Sequence, residues 1–176
     1  MYTLNIGIQQ KAMLALMLLG KKPAVELDIF ENNSSPDKVL NVLSSIGLCV
    51  YATHLPQDRN PNHITTYCVS VSDVNATLLV SVVEIRNRTK EKNTSLLDVT
   101  YGALMGYPLS AIEGYITHQT LPDDHYPGIL QDDLLVMFKL SKANFIEEME
   151  VILKWRYALD ENADYILKDL DNVIVK

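Results

Sequence analysis

The sequence predicts an α+β fold: a small, partly antiparallel sheet of about four strands packed against several helices, with a helical C-terminal part. Three observations predict it. The hydrophobic pattern runs helix, strand, helix, strand, strand and then mostly helices with one more strand late, without the regular alternation of a doubly wound sheet. Gly20, Gly47 and Gly106 each follow a stretch of helical periodicity, where a residue free to turn left-handed ends a helix. The strand-like stretches are short and set off by turn residues.

Taken in order, residues 4–19 read as a helix, closed by Gly20 and followed by Pro23. Residues 24–30 alternate, with Val25, Leu27 and Ile29 against Glu26 and Asp28, as a half-buried strand does. Asn32, Asn33 and Ser34 make a turn. Ser35 caps a second helix, Pro36 opens it and Gly47 ends it. Val39, Leu40, Leu43 and Ile46 form its apolar stripe. Residues 48–54 and 63–71 read as two strands joined by the loop 55–62. Symmetric pairing about that loop sets Cys49 against Cys68 and His54 against His63.

Residues 74–85 suit either a helix or a β-branched strand. Ser72 or Asp73 as a cap, with Leu78, Leu79, Val82 and Val83 on one side, favours the helix. Another helix runs from Ser95 to Met105, and Gly106-Tyr107-Pro108 turns it into a further one that reaches about Thr117. Residues 120–131 form a loop and 134–140 a short apolar strand. Ser141 caps a long helix with Phe145, Ile146, Met149, Ile152 and Leu153 on its buried side. Asp160 caps a last one, with Ala163, Ile166, Leu167 and Leu170 inward. The 176 residues suit one domain, 1–176.

Composition narrows function. With 48% hydrophobic and 21% charged residues the chain has ordinary globular usage. The formal charge of −7 is uneven: residues 1–120 hold 9 Lys+Arg against 10 Asp+Glu, and residues 121–176 hold 6 against 12. Such acidity disfavours nucleic-acid binding, which draws on cationic contacts to phosphate. The cationic run Arg86, Arg88, Lys90, Lys92 reads as a solvated loop or a dock for an acidic segment, and only in the latter sense as a site. The longest apolar run, residues 12–19, is too short for a membrane span, and its flanking charges do not suit a signal sequence. The chain is therefore expected to be cytoplasmic. Sequons at Asn32, Asn33, Asn75, Asn87 and Asn93 are then chance products of an Asn-rich chain, and the two cysteines are too few for a disulfide scaffold.

Three clusters carry possible chemistry. Cys49, His54, His63 and Cys68 hold the donor types of a structural zinc, but each Cys–His pair is five apart on a strand, which points the two side chains to opposite faces. His118, Asp123, Asp124 and His125 could hold a divalent ion, yet Pro122 and Pro127 mark an exposed loop and no pair has zinc-hydrolase spacing. No metal or cofactor is expected. The third cluster is the helical corner with Tyr101, Tyr107, Glu113 and Tyr115. Its glycines let backbones approach, and its tyrosines offer apolar bodies with polar tips. Phosphate-binding, dinucleotide-binding, nucleophile-elbow and zinc-protease motifs are absent.

These readings favour a non-catalytic binding or protein-interaction module, a homodimer or other homo-oligomer, whose corner tyrosines form a ligand pocket or a self-association surface. A small hydrolase or transferase using Glu113, or the loop of His118, Asp124 and His125, is the alternative.

Overall fold

The computed structural model describes residues 6–30, 36–53, 64–89, 95–130 and 135–162. Within them lie six α-helices: α1 (Ile8–Leu18), α2 (Pro36–Ser45), α3 (Asp73–Arg88), α4 (Ser95–Leu104), α5 (Leu109–Ile116) and α6 (Phe145–Asn162). Three strands accompany them: β1 (Val25–Phe30), β2 (Cys49–Ala52) and β3 (Ile64–Ser70). The fold class is α+β.

Four helices end in the same way. After α1, α2 and α4 the chain takes a positive φ at Gly20 (68°), Gly47 (81°) and Gly106 (72°). In each case the next two amides bond back into the last turn, as in Gly20 N–H to Met17 O and Lys21 N–H to Leu16 O. The end of α5 copies this arrangement, but His118 holds the left-handed position at φ 57°, while Gln119 N–H bonds Gly114 O at 2.7 Å. A side chain there costs about 1 kcal/mol or more that glycine avoids. His118 thus has a structural task, closing α5.

The sheet has the order β1-β3-β2, with β3 antiparallel to both neighbours. Because alternate residues face opposite ways, both faces can be read from the pattern. Val25, Leu27, Ile29, Tyr67 and Val69 pack on α1 and α2. Cys68 faces α3 and the end of α4, among Leu79, Val83 and Leu104. Helix α1 is buried on two sides: Leu14, Ala15 and Met17 join the sheet, whereas Leu16 joins a cluster with Ala111, Phe138, Ile152 and Trp155. This is why the 12–19 run lacks an amphipathic stripe.

Several expectations are corrected. The described residues hold three strands, not about four. Residues 135–140 form no strand, because Leu135, Phe138 and Leu140 insert into the α5–α6 core, and pairing is confined to a bridge between Thr120 and Ser141. The β2–β3 register places Cys49 opposite Ser70 and Cys68 opposite Tyr51, two residues off symmetric pairing about 55–62. In α3, a helix as the Ser72 cap favours, Leu78 lies on the outer side while Ala76, Leu79, Val82 and Val83 are buried. In α6 Phe145, Met149 and Ile152 pack inward as expected and Glu148 and Trp155 are buried beside them, whereas Ile146 is exposed. Asp160 lies inside α6 and caps nothing there. Pro108 sits just before α5, at its N-cap position. Ser35, His54, His63 and the helix expected beyond residue 162 fall outside the described residues.

The burial of Glu148 has a polar cause. Glu148 is fully buried and accepts hydrogen bonds from the Ser141 amide and hydroxyl, each at 2.6 Å. Ser141 Oγ in turn accepts from Asn144 N–H at 3.1 Å, which closes the turn ahead of α6; the helix itself starts at Phe145, so Ser141 stands before the cap position expected for it. Gly114 makes room for this turn: a Cβ there would lie 2.6 Å from Ser141 Cβ.

Two substitutions test these contacts in urea denaturation. Gly114→Ala should cost about 1–3 kcal/mol, since the collision is with the tightly held Ser141. His118→Gly should leave stability unchanged or raise it by up to about 1 kcal/mol. A destabilised His118→Gly would show that the imidazole, not the backbone, matters.

Candidate functional site

The corner predicted from sequence surrounds a cavity of about 290 Å³. On α4, Asp98, Tyr101 and Gly102 are spaced i, i+3, i+4 and so share one face. On α5, Ala111, Ile112 and Tyr115, spaced i, i+1, i+4, also line the cavity. Tyr107 comes from the turn between the helices, Arg86 from the last turn of α3, and Met137, Phe138 and Lys139 from the segment before α6. Gly102 lets the helices close at the base: a Cβ there would stand 2.7 Å from the Ile112 side chain.

Aromatic rings form a continuous row. Tyr101 meets Tyr107 edge-on at 6.5 Å between centroids, Tyr107 meets Phe138 at 5.3 Å, and Phe138 meets Trp155 of α6 at 5.9 Å. Tyr107 burial, with the Glu26 charge adding to it, pushes its phenol up to about 12. Its hydroxyl has no hydrogen-bond partner among the described residues.

Behind Tyr107 lies Lys22, only 2% exposed. Its Nζ donates to Met105 O at 2.8 Å and stands 5.0 Å from the Tyr107 ring centroid and 4.0 Å from that of Trp155. The two ring faces and the carbonyl replace part of the hydration that the ammonium gives up. Burial nevertheless brings its pKa down to about 7.

Behind Tyr101 lies Glu26 of β1. Tyr101 donates its hydroxyl to Glu26 Oε2 at 2.6 Å. Burial raises the Glu26 pKa and nearby Asp28 adds to it, against the pull of the Tyr101 hydrogen bond and the Arg86 charge. The Tyr101 phenol is pushed far up, first by burial and then by Glu26. Arg86 stacks 4.2 Å above the Tyr101 ring and pairs with Asp98 at 3.3 Å. At the opposite rim Lys139 pairs with Asp123.

Of the residues singled out in the sequence, Tyr101, Tyr107 and Tyr115 line this cavity, Tyr115 at its exposed edge. Glu113 is exposed on α5 and is not among the lining residues. His118, Asp124 and His125 are exposed and outside it as well. Among the described residues no group of three or more His, Cys, Asp or Glu is placed to hold a metal. Arg86, read as part of a solvated basic loop, lies inside α3 and turns toward Tyr101, while Arg88 pairs with Glu84.

Lys22, Glu26, Asp98 and Phe138 were not singled out. For Glu26 a signal exists in the acidic alternate positions of β1, which only a covered second sheet face makes functional. Comparison of the chain with protein-family models, with curated proteins and with solved structures found no match.

Buried Lys22 and half-buried Glu26 make opposite contributions to the pH dependence of stability. Lys22 has a folded pKa below its unfolded value of 10.5, so between about pH 7 and 10.5 the unfolded chain holds the extra proton and stability rises with pH. The slope from this group approaches about 1.4 kcal/mol per pH unit. Glu26 has a raised folded pKa, so its contribution is greatest at low pH and is lost as pH rises through that value. Urea titrations should show the alkaline rise disappear in Lys22→Met, and Glu26→Gln gain stability over wild type at pH 7 but not at pH 4. A Lys22→Met profile parallel to wild type would contradict the depressed ammonium.

Proposed function

We propose that this chain is a non-catalytic binding module whose corner cavity receives a small planar molecule. The observation that carries the reading is convergence: tyrosines 101, 107 and 115, together with Phe138, meet around one cavity of about 290 Å³. That volume is near the lower end for small-molecule sites, which are mostly apolar with a few placed polar groups. Gly102, Ala111 and Ile112 supply the apolar base, and Tyr107, whose hydroxyl has no hydrogen-bond partner among the described residues, lines the wall. Glu113 and the 118–125 loop lie outside, which gives the hydrolase or transferase alternative no support from geometry. The free cysteines Cys49 and Cys68, offset in register, suit a reducing, cytoplasmic setting.

Benzyl alcohol is a suitable first probe. Its binding should shift the NMR signals of Tyr107, Ile112 and Phe138, with a dissociation constant of order 1 mM. Met137→Trp should fill the cavity and abolish the shifts. Shifts scattered over the surface, or unchanged in Met137→Trp, would refute the assignment.

Self-association is a second reading, and a different surface favours it. Strand β2 is an edge of the sheet, and Tyr51, Val71, Val74 and Leu78 beside it are exposed. A second copy pairing along this edge would cover them. Native mass spectrometry should then give a dimer that Leu78→Lys converts to monomer; a monomeric wild type at tens of micromolar would dispose of this reading.

A further inference from the structure

We infer that two copies of this chain associate through the outer face of α3, with the two α3 helices antiparallel and crossing at Ser81. The inference rests on the self-association reading above and places its contact on the helix beside the β2 edge.

Helix α3 packs on β2, β3 and α4 with Ala76, Leu79, Val82 and Val83 buried. Its outer side carries a second row. Val74, Leu78, Ser81 and Ile85 stand at i, i+4, i+7 and i+11, the spacing of a seam between two helices. Val74 is 72% exposed, Leu78 43% and Ile85 47%, and Ser81 is exposed between them. The row is about 17 Å long at the helical rise of 1.5 Å per residue. It holds no charged residue, whereas the outer face of a surface helix is ordinarily charged or polar.

The hydroxyls of this face already have acceptors. Thr77 Oγ1 donates to Asp73 O at 2.8 Å, and Ser81 Oγ donates to Thr77 O at 3.0 Å, both within the helix. Covering the face leaves neither proton without a partner, so it can lose water at small polar cost.

The layout about Ser81 fits a second copy. A twofold contact sets each residue before the centre against one about as far after it. Leu78, three before Ser81, meets Ile85, four after it. Val74 and Asp73, seven and eight before, meet Arg88, seven after. Apolar side chains thus face each other, and acid faces base. Ser81 has the smallest side chain of the row and falls at the crossing, where small side chains let helix axes approach. Antiparallel pairing sets the acidic first turn, with Asp73, against the basic last turn, with Arg88, and opposes the helix dipoles. A parallel pair puts acid on acid and base on base. Both groups keep their present partners: Arg88 pairs with Glu84 of its own helix at 3.1 Å, and Asp73 accepts from the Tyr51 hydroxyl. A guanidinium and a carboxylate each have capacity beyond one such bond.

The test uses the full chain at tens of micromolar. Native mass spectrometry should give a dimer, and Ile85→Lys, at an exposed position and with an unchanged circular dichroism spectrum, should weaken it at least tenfold. In a Cys49→Ser background, Ser81→Cys should oxidise with diamide to a covalent dimer. Val74→Cys should not link to its own copy, which the antiparallel pair holds about 21 Å away, too far for a disulfide. Mixed with Arg88→Cys, it should link. A dimer that Ile85→Lys leaves intact, or that Ser81→Cys fails to cross-link, overturns the inference and leaves self-association standing through another surface. Self-linking of Val74→Cys overturns the antiparallel pair. A monomeric wild type overturns the inference and the self-association reading together, and leaves the α3 row to a partner of a different kind.

Discussion

The arrangement depends on a buried ammonium. Lys22 is the second residue past the left-handed Gly20 that ends α1, and it reaches Met105 O at the end of α4 and the faces of Tyr107 and Trp155. One side chain thus joins α1, the α4–α5 corner and α6. Gly106 permits the close approach that this needs, since a Cβ at that position would stand 3.0 Å from Lys21 O. With its donor directed at a carbonyl and two rings, Lys22 fixes the orientation of Tyr107, and Tyr107 is a wall of the cavity. A charge in this position is costly, and the alternatives of equal volume would be apolar. Its retention makes sense as a device of specificity, holding one packing of three helices.

A second anchor works from the opposite side. Glu26 points away from the face that Val25, Leu27 and Ile29 bury, and meets Tyr101 across 75 positions of sequence. Tyr101 is then held between Glu26 at its hydroxyl and Arg86 over its ring. Tyr107 and Tyr101 are thereby fixed from behind by Lys22 and Glu26, which do not themselves line the cavity, while Arg86 over Tyr101 belongs to its lining. Preorganised rings lose little freedom when a flat ligand enters, which is how a small site gains affinity.

Much of the fold was legible from the chain. Gly20, Gly47 and Gly106 mark helix ends because each must adopt a positive φ, and this local constraint survives any tertiary context. Ser72 likewise settled the ambiguous stretch after it, capping α3 through Asn75 N–H. What failed was non-local. The 134–140 stretch has strand-like hydrophobicity, but its apolar residues insert among helices, and a short apolar run does not say which kind of neighbour it will meet. The β2–β3 register depended on where the intervening loop turns. The buried side of α6 also includes Glu148, which is polar by type and is held inside by Ser141. For the site, the density of tyrosine and glycine between 101 and 115 was visible, whereas Lys22, Glu26 and Arg86 looked like solvated charges. Only the covered second face of the sheet and the end of α1 make them interior.

What the corner cavity receives is the central claim, and a crystal structure of the protein soaked with benzyl alcohol tests it most directly. The expected result is an aromatic ring inside the cavity, against Tyr107 and Phe138. A cavity without the ring, or a ring lodged elsewhere on the surface, would contradict it.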